Sequence, residues 1–255
     1  MAGHWTAQQC CAAQDASAGF VHTSILLFQQ CTPAISITAM ASLVSLVATL
    51  ALFSTTAFAL PPLQRSATPV PPLNEVGPGL PPPPPGASPL IIALGVGSQN
   101  YTCNATSLTF STNVAQADLY DVAKFINPNT KSSISTLYLA ASTTPIKNPL
   151  RLDHIGKHFF SDNKTPNFDF SESGKGFLQA KKVIGVPAPA DAFAGLRGQD
   201  HGAVDWVYLI DNGAGVSKQL GKVYRVETAG GKPPASCKAG EQVFVPYAAE
   251  YWFYK

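Results

Sequence analysis

Three histidines and two carboxylates carry most of the chemistry that the second half of this chain offers: His154, His158, His201, Asp205 and Glu250. Asp153-His154-x-x-x-His158 has the residue types of a metal site. On a helix, positions i and i+4 share a face and can hold one ion. On a strand they also share a face, but about 13 Å apart, too far for a single ion. H-I-G-K-H-F-F-S (His154–Ser161) reads as a strand, so no metal is expected. His158, between Lys157 and Phe159, reads first as a hydrogen-bonded structural histidine. Asp205 lies beside Trp206, and Glu250 among Tyr251 and Trp252. Acids framed by aromatics are how many sugar-cleaving clefts are built; the solvent side of any sheet looks the same. His158, Asp205 and Glu250 are therefore the candidate catalytic residues of a hydrolase. Nothing firmer is present: there is no G-x-S-x-G elbow, and Gly230-Gly231-Lys232-Pro233 lacks the shape of a phosphate-binding loop. The leaning is against an enzyme, and no cofactor is expected.

The elements that would position these groups are mostly strands. The clearest is the last, V-F-V-P-Y-A-A-E-Y-W-F-Y (Val243–Tyr254). Alternation puts Tyr247, Ala249, Tyr251 and Phe253 on one side and Ala248, Glu250, Trp252 and Tyr254 on the other. Both sides carry large aromatics, so the segment is expected to be an interior strand, covered on both faces. Val204–Asp211 (V-D-W-V-Y-L-I-D) places Val204, Trp206, Tyr208 and Ile210 on one face, and Lys222–Thr228 (K-V-Y-R-V-E-T) alternates too. Leu90–Leu94, Gln99–Asn104, Thr136–Ala141, Asn167–Ser171 and Gly176–Val186 complete the expected strands. Ala115–Phe125 (A-Q-A-D-L-Y-D-V-A-K-F) is the one stretch read as helix, with Leu119, Val122 and Ala123 on a face and Asn127-Pro128-Asn129 ending it. Short strands with frequent Gly and Pro between them predict a mainly β domain, an antiparallel sandwich or barrel with one short helix.

Composition bounds the destination. The 255 residues carry 17 Lys+Arg against 15 Asp+Glu, a net charge of +2, which argues for neither nucleic acid nor an acidic membrane surface as partner. Residues 1–59 hold no Lys or Arg and one acid, Asp15. Within them Leu43–Phe53 has the look of a signal-peptide core, and Ala57-Phe58-Ala59 of a cleavage site, so 40–59 is expected to be a signal peptide. Residues 1–39 are then a non-native or disordered extension, with Met40 as the rival start to Met1. The competing reading of residues 34–60 is an uncleaved membrane anchor. Residues 60–89, with the run Pro81–Pro85, read as a proline-rich spacer, and 90–255 as the folded, secreted domain. Past residue 59 the only cysteines are Cys103 and Cys237. Outside the cytosol they are expected to pair, the alternative being two buried thiols. Asn100, Asn104 and Asn163 each head an Asn-x-Thr glycosylation sequon. In the strand around Gln99–Asn104, Asn100, Thr102 and Asn104 would face out, and Tyr101 and Cys103 in.

Several motifs together, G-V-G-S-Q-N-Y-T-C (Gly95–Cys103), G-K-H-F-F (Gly156–Phe160), V-D-W-V-Y-L (Val204–Leu209), Y-R-V-E-T-A-G-G-K-P-P-A-S-C (Tyr224–Cys237) and V-P-Y-A-A-E-Y-W-F-Y (Val245–Tyr254), resemble a family of small secreted proteins from fungi and bacteria known as a domain of unknown function. The resemblance implies a compact extracellular domain over residues 90–255 and no established site residues. Fungal members carry a malate dehydrogenase label. That chemistry needs G-x-G-x-x-G between a strand and a helix, whereas Gly95-Val-Gly97-Ser-Gln-Asn100 has Asn at the third glycine and continues as strand or loop. A dehydrogenase is the least favoured reading.

The favoured reading is a cell-surface or wall-associated binding or structural module. Trp206, Tyr208, Trp252 and Tyr254, on an outer sheet face, are candidates for a flat platform on which polysaccharide stacks, with Arg225 as a further binding residue. The rival is the secreted hydrolase acting on polysaccharide.

Overall fold

Gln242–Tyr254 forms one continuous strand, β8, with hydrogen-bonded neighbours on both edges, as its two aromatic faces require. It belongs to a closed barrel in a computed structural model that describes residues 68–126 and 134–255. The other strands are β1 (Ile91–Cys103), β2 (Phe110–Asp121), β3 (His154–Ser161), β4 (Thr165–Asp169), β5 (Phe177–Val186), β6 (Trp206–Asp211) and β7 (Lys222–Gly230). Every strand pairs antiparallel with its neighbour in sequence, and β8 pairs with β1 to close the ring. Closure leaves no free sheet edge.

Alternation then sorts side chains into two cores. The inner one takes residues from all eight strands, among them Ala93, Leu119, Ile155, Phe168, Leu178, Val207, Val223 and Tyr251. Eight strands enclose a space that side chains just fill, or that holds one small ligand. Large rings fit because small residues face them: a Cβ at Gly95 of β1 would lie 2.5 Å from the Tyr251 ring. The outer core coats one side of the barrel, where Ile92, Leu94, Trp206, Tyr224, Trp252 and Tyr254 are covered by Tyr138 and Leu139 of a helix, α1 (Ile134–Ala141), and by Leu73, Val76 and Leu80.

Among the described residues the mainly β, barrel-like expectation with a single short α-helix holds, but the helix is elsewhere. The stretch 115–125 forms the end of β2 and a single 3-10 turn. Ala115, Ala117 and Leu119 point inward while Gln116 and Asp118 stay outside, a period of two that the helix-forming composition hid. Pairing with β1 and β3 outweighs the weak propensities of Ala and Asp. Conversely, 136–141, read as strand, is helical; Ser135, Tyr138 and Leu139 bury one face and Leu137 stays exposed. The segments read separately at 90–94 and 99–104 are one strand running through Gly95 and Gly97. In β6 the inward residues are Val207 and Leu209, with Trp206 outside, so the face expected to join Val204 with Trp206 does not exist; Val204 precedes the strand and packs in the inner core. Most of the expected spacer, 70–89 of 60–89, is part of the folded unit, because Leu73, Val76, Leu80 and Ala87 pack on the outer core. The expected extension at 1–39, the signal peptide at 40–59 and the helix stop at 127–129 lie outside the described residues.

Cys103 and Cys237 are joined in a disulfide, with their Cα atoms 5.9 Å apart. As expected, Tyr101 and Cys103 face in, at 6% and 2% exposure.

Candidate functional site

The inner core is not completely filled. At one end of the barrel a cavity of about 430 Å³ opens between β3, β4, β5, β6, β7 and β8. Phe160, Pro166, Phe168, Ala180, Val207 and Leu209 form its apolar wall, and His158, Arg225 and Tyr251 bring polar atoms to it. Lys164, Lys181 and Lys182 also line it, and among the described residues no Asp or Glu does.

His158 reaches the lumen because β3 alternates: Lys157 and Phe159 face out, His158 and Phe160 in. Its ring lies parallel to Phe168 of the neighbouring strand, centroids 4.2 Å apart. Nδ1 is 2.8 Å from the backbone oxygen of Asn167. A carbonyl can only accept, so Nδ1 carries the hydrogen and the lone pair is left on Nε2. Burial in this apolar setting pulls the imidazole down to a pKa of about 4; the Asn167 hydrogen bond opposes that shift and the Arg225 charge adds to it. At neutral pH His158 is an uncharged ring.

Arg225 sits on β7 between the outward-facing Tyr224 and Val226, so it points inward. Nε and Nη2 donate to the backbone oxygen of Asp205 at 3.2 and 2.8 Å. The guanidinium also lies against the Tyr251 hydroxyl, whose pKa burial raises and Arg225 draws back. Tyr251 in turn shares a 2.9 Å hydrogen bond with Tyr247, which burial pushes well up. Arg225 makes no ion pair among the described residues. A half-buried cation held only by carbonyl and phenol oxygens retains most of its uncompensated charge, a costly arrangement in an apolar lumen.

The sequence candidates therefore separate. His158 and Arg225 meet at one cavity. Asp205 contributes its backbone oxygen to Arg225, and its side chain does not line the cavity. Glu250 is on the opposite face of β8, 1% exposed, accepting a hydrogen bond from Trp252 Nε1 at 3.2 Å. The carboxylate pair expected of a glycosidase does not converge. Trp206, Trp252 and Tyr254 do lie on the outer face, but at 1% exposure each, under α1 and the 70–89 segment, with Tyr208 half-buried. They are core, and the flat polysaccharide platform is not formed. Asp118 is 3.1 Å from His154 at the surface, so His154 and His158 do not share a site. Gly95 and Gly97 lie within β1 against Tyr251 and the Gln116 carbonyl, where no phosphate can approach them. Tyr251, the residue that links Arg225 to His158, went unrecognised as a site residue because its strand reads simply as aromatic core.

Of the sequon residues, Asn104 and Asn163 are exposed in turns and Asn100 is half-buried on the outer face of β1. Asn104 Oδ1 accepts from the Thr106 and Ser107 amides, which leaves its Nδ2 outward.

A family model described as Protein of unknown function (DUF3455) matches residues 83–255. The chain belongs to that family. The match begins inside the proline run and spans all eight strands, so the family is the barrel together with the end of its covering segment. No curated protein and no solved structure matches the chain.

Proposed function

We propose that this DUF3455 domain is a binding module that takes a small amphiphilic anion into the open end of its barrel. The observation that carries the reading is Arg225: a guanidinium that, among the described residues, has no counterion and faces an apolar cavity lined by no acid. An incoming carboxylate supplies the missing charge, and the apolar body replaces water along Phe160, Phe168 and Leu209. Lys164, Lys181 and Lys182 add a positive field along the same cavity, which draws anions in. A cavity of this size takes a ligand of roughly a dozen heavy atoms, at about 30 Å³ each by the measure of liquid water.

The module works outside the cytosol in this reading. The Cys103–Cys237 disulfide supports that, as do two sequon asparagines on exposed turns. No helix among the described residues is long and apolar enough to cross a membrane. The role at a cell surface or wall expected from the sequence is retained, with the ligand moved from an outer aromatic platform to the lumen. A hydrolase is not favoured, because His158 is the one member of the expected catalytic set whose side chain lines the cavity.

Titration calorimetry of the purified protein tests this with benzoate and octanoate against benzyl alcohol and octanol. The anions are expected to bind and the alcohols to bind weakly. Arg225→Gln should weaken the anions by at least tenfold, the effect of losing one charge-assisted hydrogen bond of about 1.5–3 kcal/mol. Equal binding of alcohols and acids, or an indifferent Arg225→Gln variant, would refute it.

A further inference from the structure

The lumen cavity has one more selective feature, and the inference from it rests on the anion-binding reading above. We propose that the ligand carries a hydroxyl on the same small aromatic body as its carboxylate, and that His158 Nε2 accepts the hydrogen of that hydroxyl.

Three observations lead there. First, the His158 ring cannot readily turn: Nδ1 is held by the Asn167 carbonyl at 2.8 Å, and the ring is stacked flat on Phe168. A flip would leave that carbonyl without its donor. Nε2 is thereby fixed as the acceptor, and no described residue donates to it. A ligand that donates to Nε2 supplies the one hydrogen bond the described residues leave open on this ring.

Second, the charged part of the polar lining offers ligands the opposite character, and the Thr165 hydroxyl spends its hydrogen on Asp162. Arg225 and the three lysines can only donate. Asn212 is engaged at both ends of its amide, its Nδ2 donating to Gln179 and its Oδ1 accepting from the Ala214 amide. The Tyr251 hydroxyl is shared between Tyr247 and Arg225. A simple carboxylate would satisfy the cations and leave Nε2 bare. An ammonium group could donate to Nε2 but would be repelled by Arg225 beside it. A neutral hydroxyl meets both conditions.

Third, the two recognition points are close. The His158 and Tyr251 rings are 5.8 Å apart between centroids, and Arg225 lies against the Tyr251 hydroxyl. One compact ligand reaches both. The wall near His158 is itself made of rings, with Phe160 at 5.4 Å and Phe168 at 4.2 Å, which suits an aromatic body better than a flexible chain. The site then resembles those built to hydrogen-bond a substrate hydroxyl, which discriminate against the analogue that lacks it.

Calorimetry with benzoate, 3- and 4-hydroxybenzoate and the matching methoxybenzoates tests this in the wild type and in His158→Phe. That variant keeps a ring on Phe168 and removes Nε2. One hydroxybenzoate should bind about five- to tenfold tighter than benzoate, the effect of one net hydrogen bond. Its methoxy analogue should show no gain, and the gain should vanish in His158→Phe while benzoate still binds. In the wild type, the 15N resonance of His158 Nε2 should move with the hydroxybenzoate and not with the methoxy compound, a readout independent of the variant's folding. A hydroxyl that brings no advantage, an advantage that survives His158→Phe, or a silent Nε2 overturns the hydroxyl inference and leaves anion binding standing. Failure of every benzoate to bind overturns both.

Discussion

His158 makes a measurable demand on the whole fold. In the unfolded chain its imidazole takes a proton near the ordinary pKa of 6.5; in the barrel it takes one only near 4. As pH falls between those values the unfolded state is protonated and the folded state is not, so acid drives unfolding. Stability from this group is complete above about pH 6.5, declines as pH falls, and is exhausted by about pH 4. The full span between 6.5 and about 4 is worth about 3 kcal/mol, at about 1.36 kcal/mol for each tenfold change in proton concentration. About 2 kcal/mol of it is gone by pH 5 on the same arithmetic. Urea unfolding followed by tryptophan fluorescence, from pH 7.5 to 3.5, measures it, with Trp206 and Trp252 as reporters buried in the outer core. Other groups titrate over the same range, so the decisive quantity is the difference between wild type and His158→Phe. Asp121, held low by the Lys175 hydrogen bond against the opposing effect of burial, contributes equally to both proteins. The wild type should lose about 2 kcal/mol more than the variant between pH 7 and 5. Superimposable pH profiles, or a His158 proton resonance titrating near 6.5, would refute the neutral, buried imidazole on which the site's chemistry stands.

Three further outcomes follow from the packing. The Cys103–Cys237 bridge closes a loop of 134 residues, so replacing both cysteines with Ala should cost about 5 kcal/mol in the chain-entropy model, read as a lower urea midpoint. Gly95→Val puts a side chain into the Tyr251 ring; it should destabilise by about 1–3 kcal/mol and weaken benzoate binding through displacement of Tyr251. Trp252→Ala empties the outer core and removes a donor from buried Glu250; a loss of about 3–5 kcal/mol with the lumen site intact in any folded fraction is expected.

How far the sequence revealed this depends on how local each signal is. β8 was legible because both of its faces are aromatic, and only an interior strand tolerates that. β3 was legible because H-I-G-K-H-F-F-S reads as a strand, and that reading also kept His154 and His158 from being taken as one metal site. The helix was misplaced because 115–121 and 136–141 carry composition suited to the opposite structure. Their state is settled by what lies beside them, β1 and β3 in one case and the outer face of the barrel in the other. Closure of the sheet was out of reach for the same reason, since it depends on β1 meeting β8 across the length of the domain. The aromatic platform failed through a related gap. Alternation placed Trp206 and Trp252 outward correctly, yet could not reveal that a proline-rich segment would lie over them.

The site divides along the same line. Arg225 and His158 are each ordinary in sequence, a cation in an alternating strand and a histidine beside phenylalanines. What turns them into a recognition pair is the barrel, which brings His158 of β3 and Arg225 of β7 both against Tyr251 of β8. Among the described residues neither has the partner its chemistry calls for: Arg225 has carbonyl and phenol oxygens where a carboxylate would neutralise it, and His158 Nε2 has no donor. A barrel selected only for stability would fill this end with branched aliphatic side chains, as its other inward positions Leu119, Leu178 and Val223 do. Keeping a cation there lowers stability, and a bound hydroxyl-bearing anion would neutralise it and donate to His158 at once.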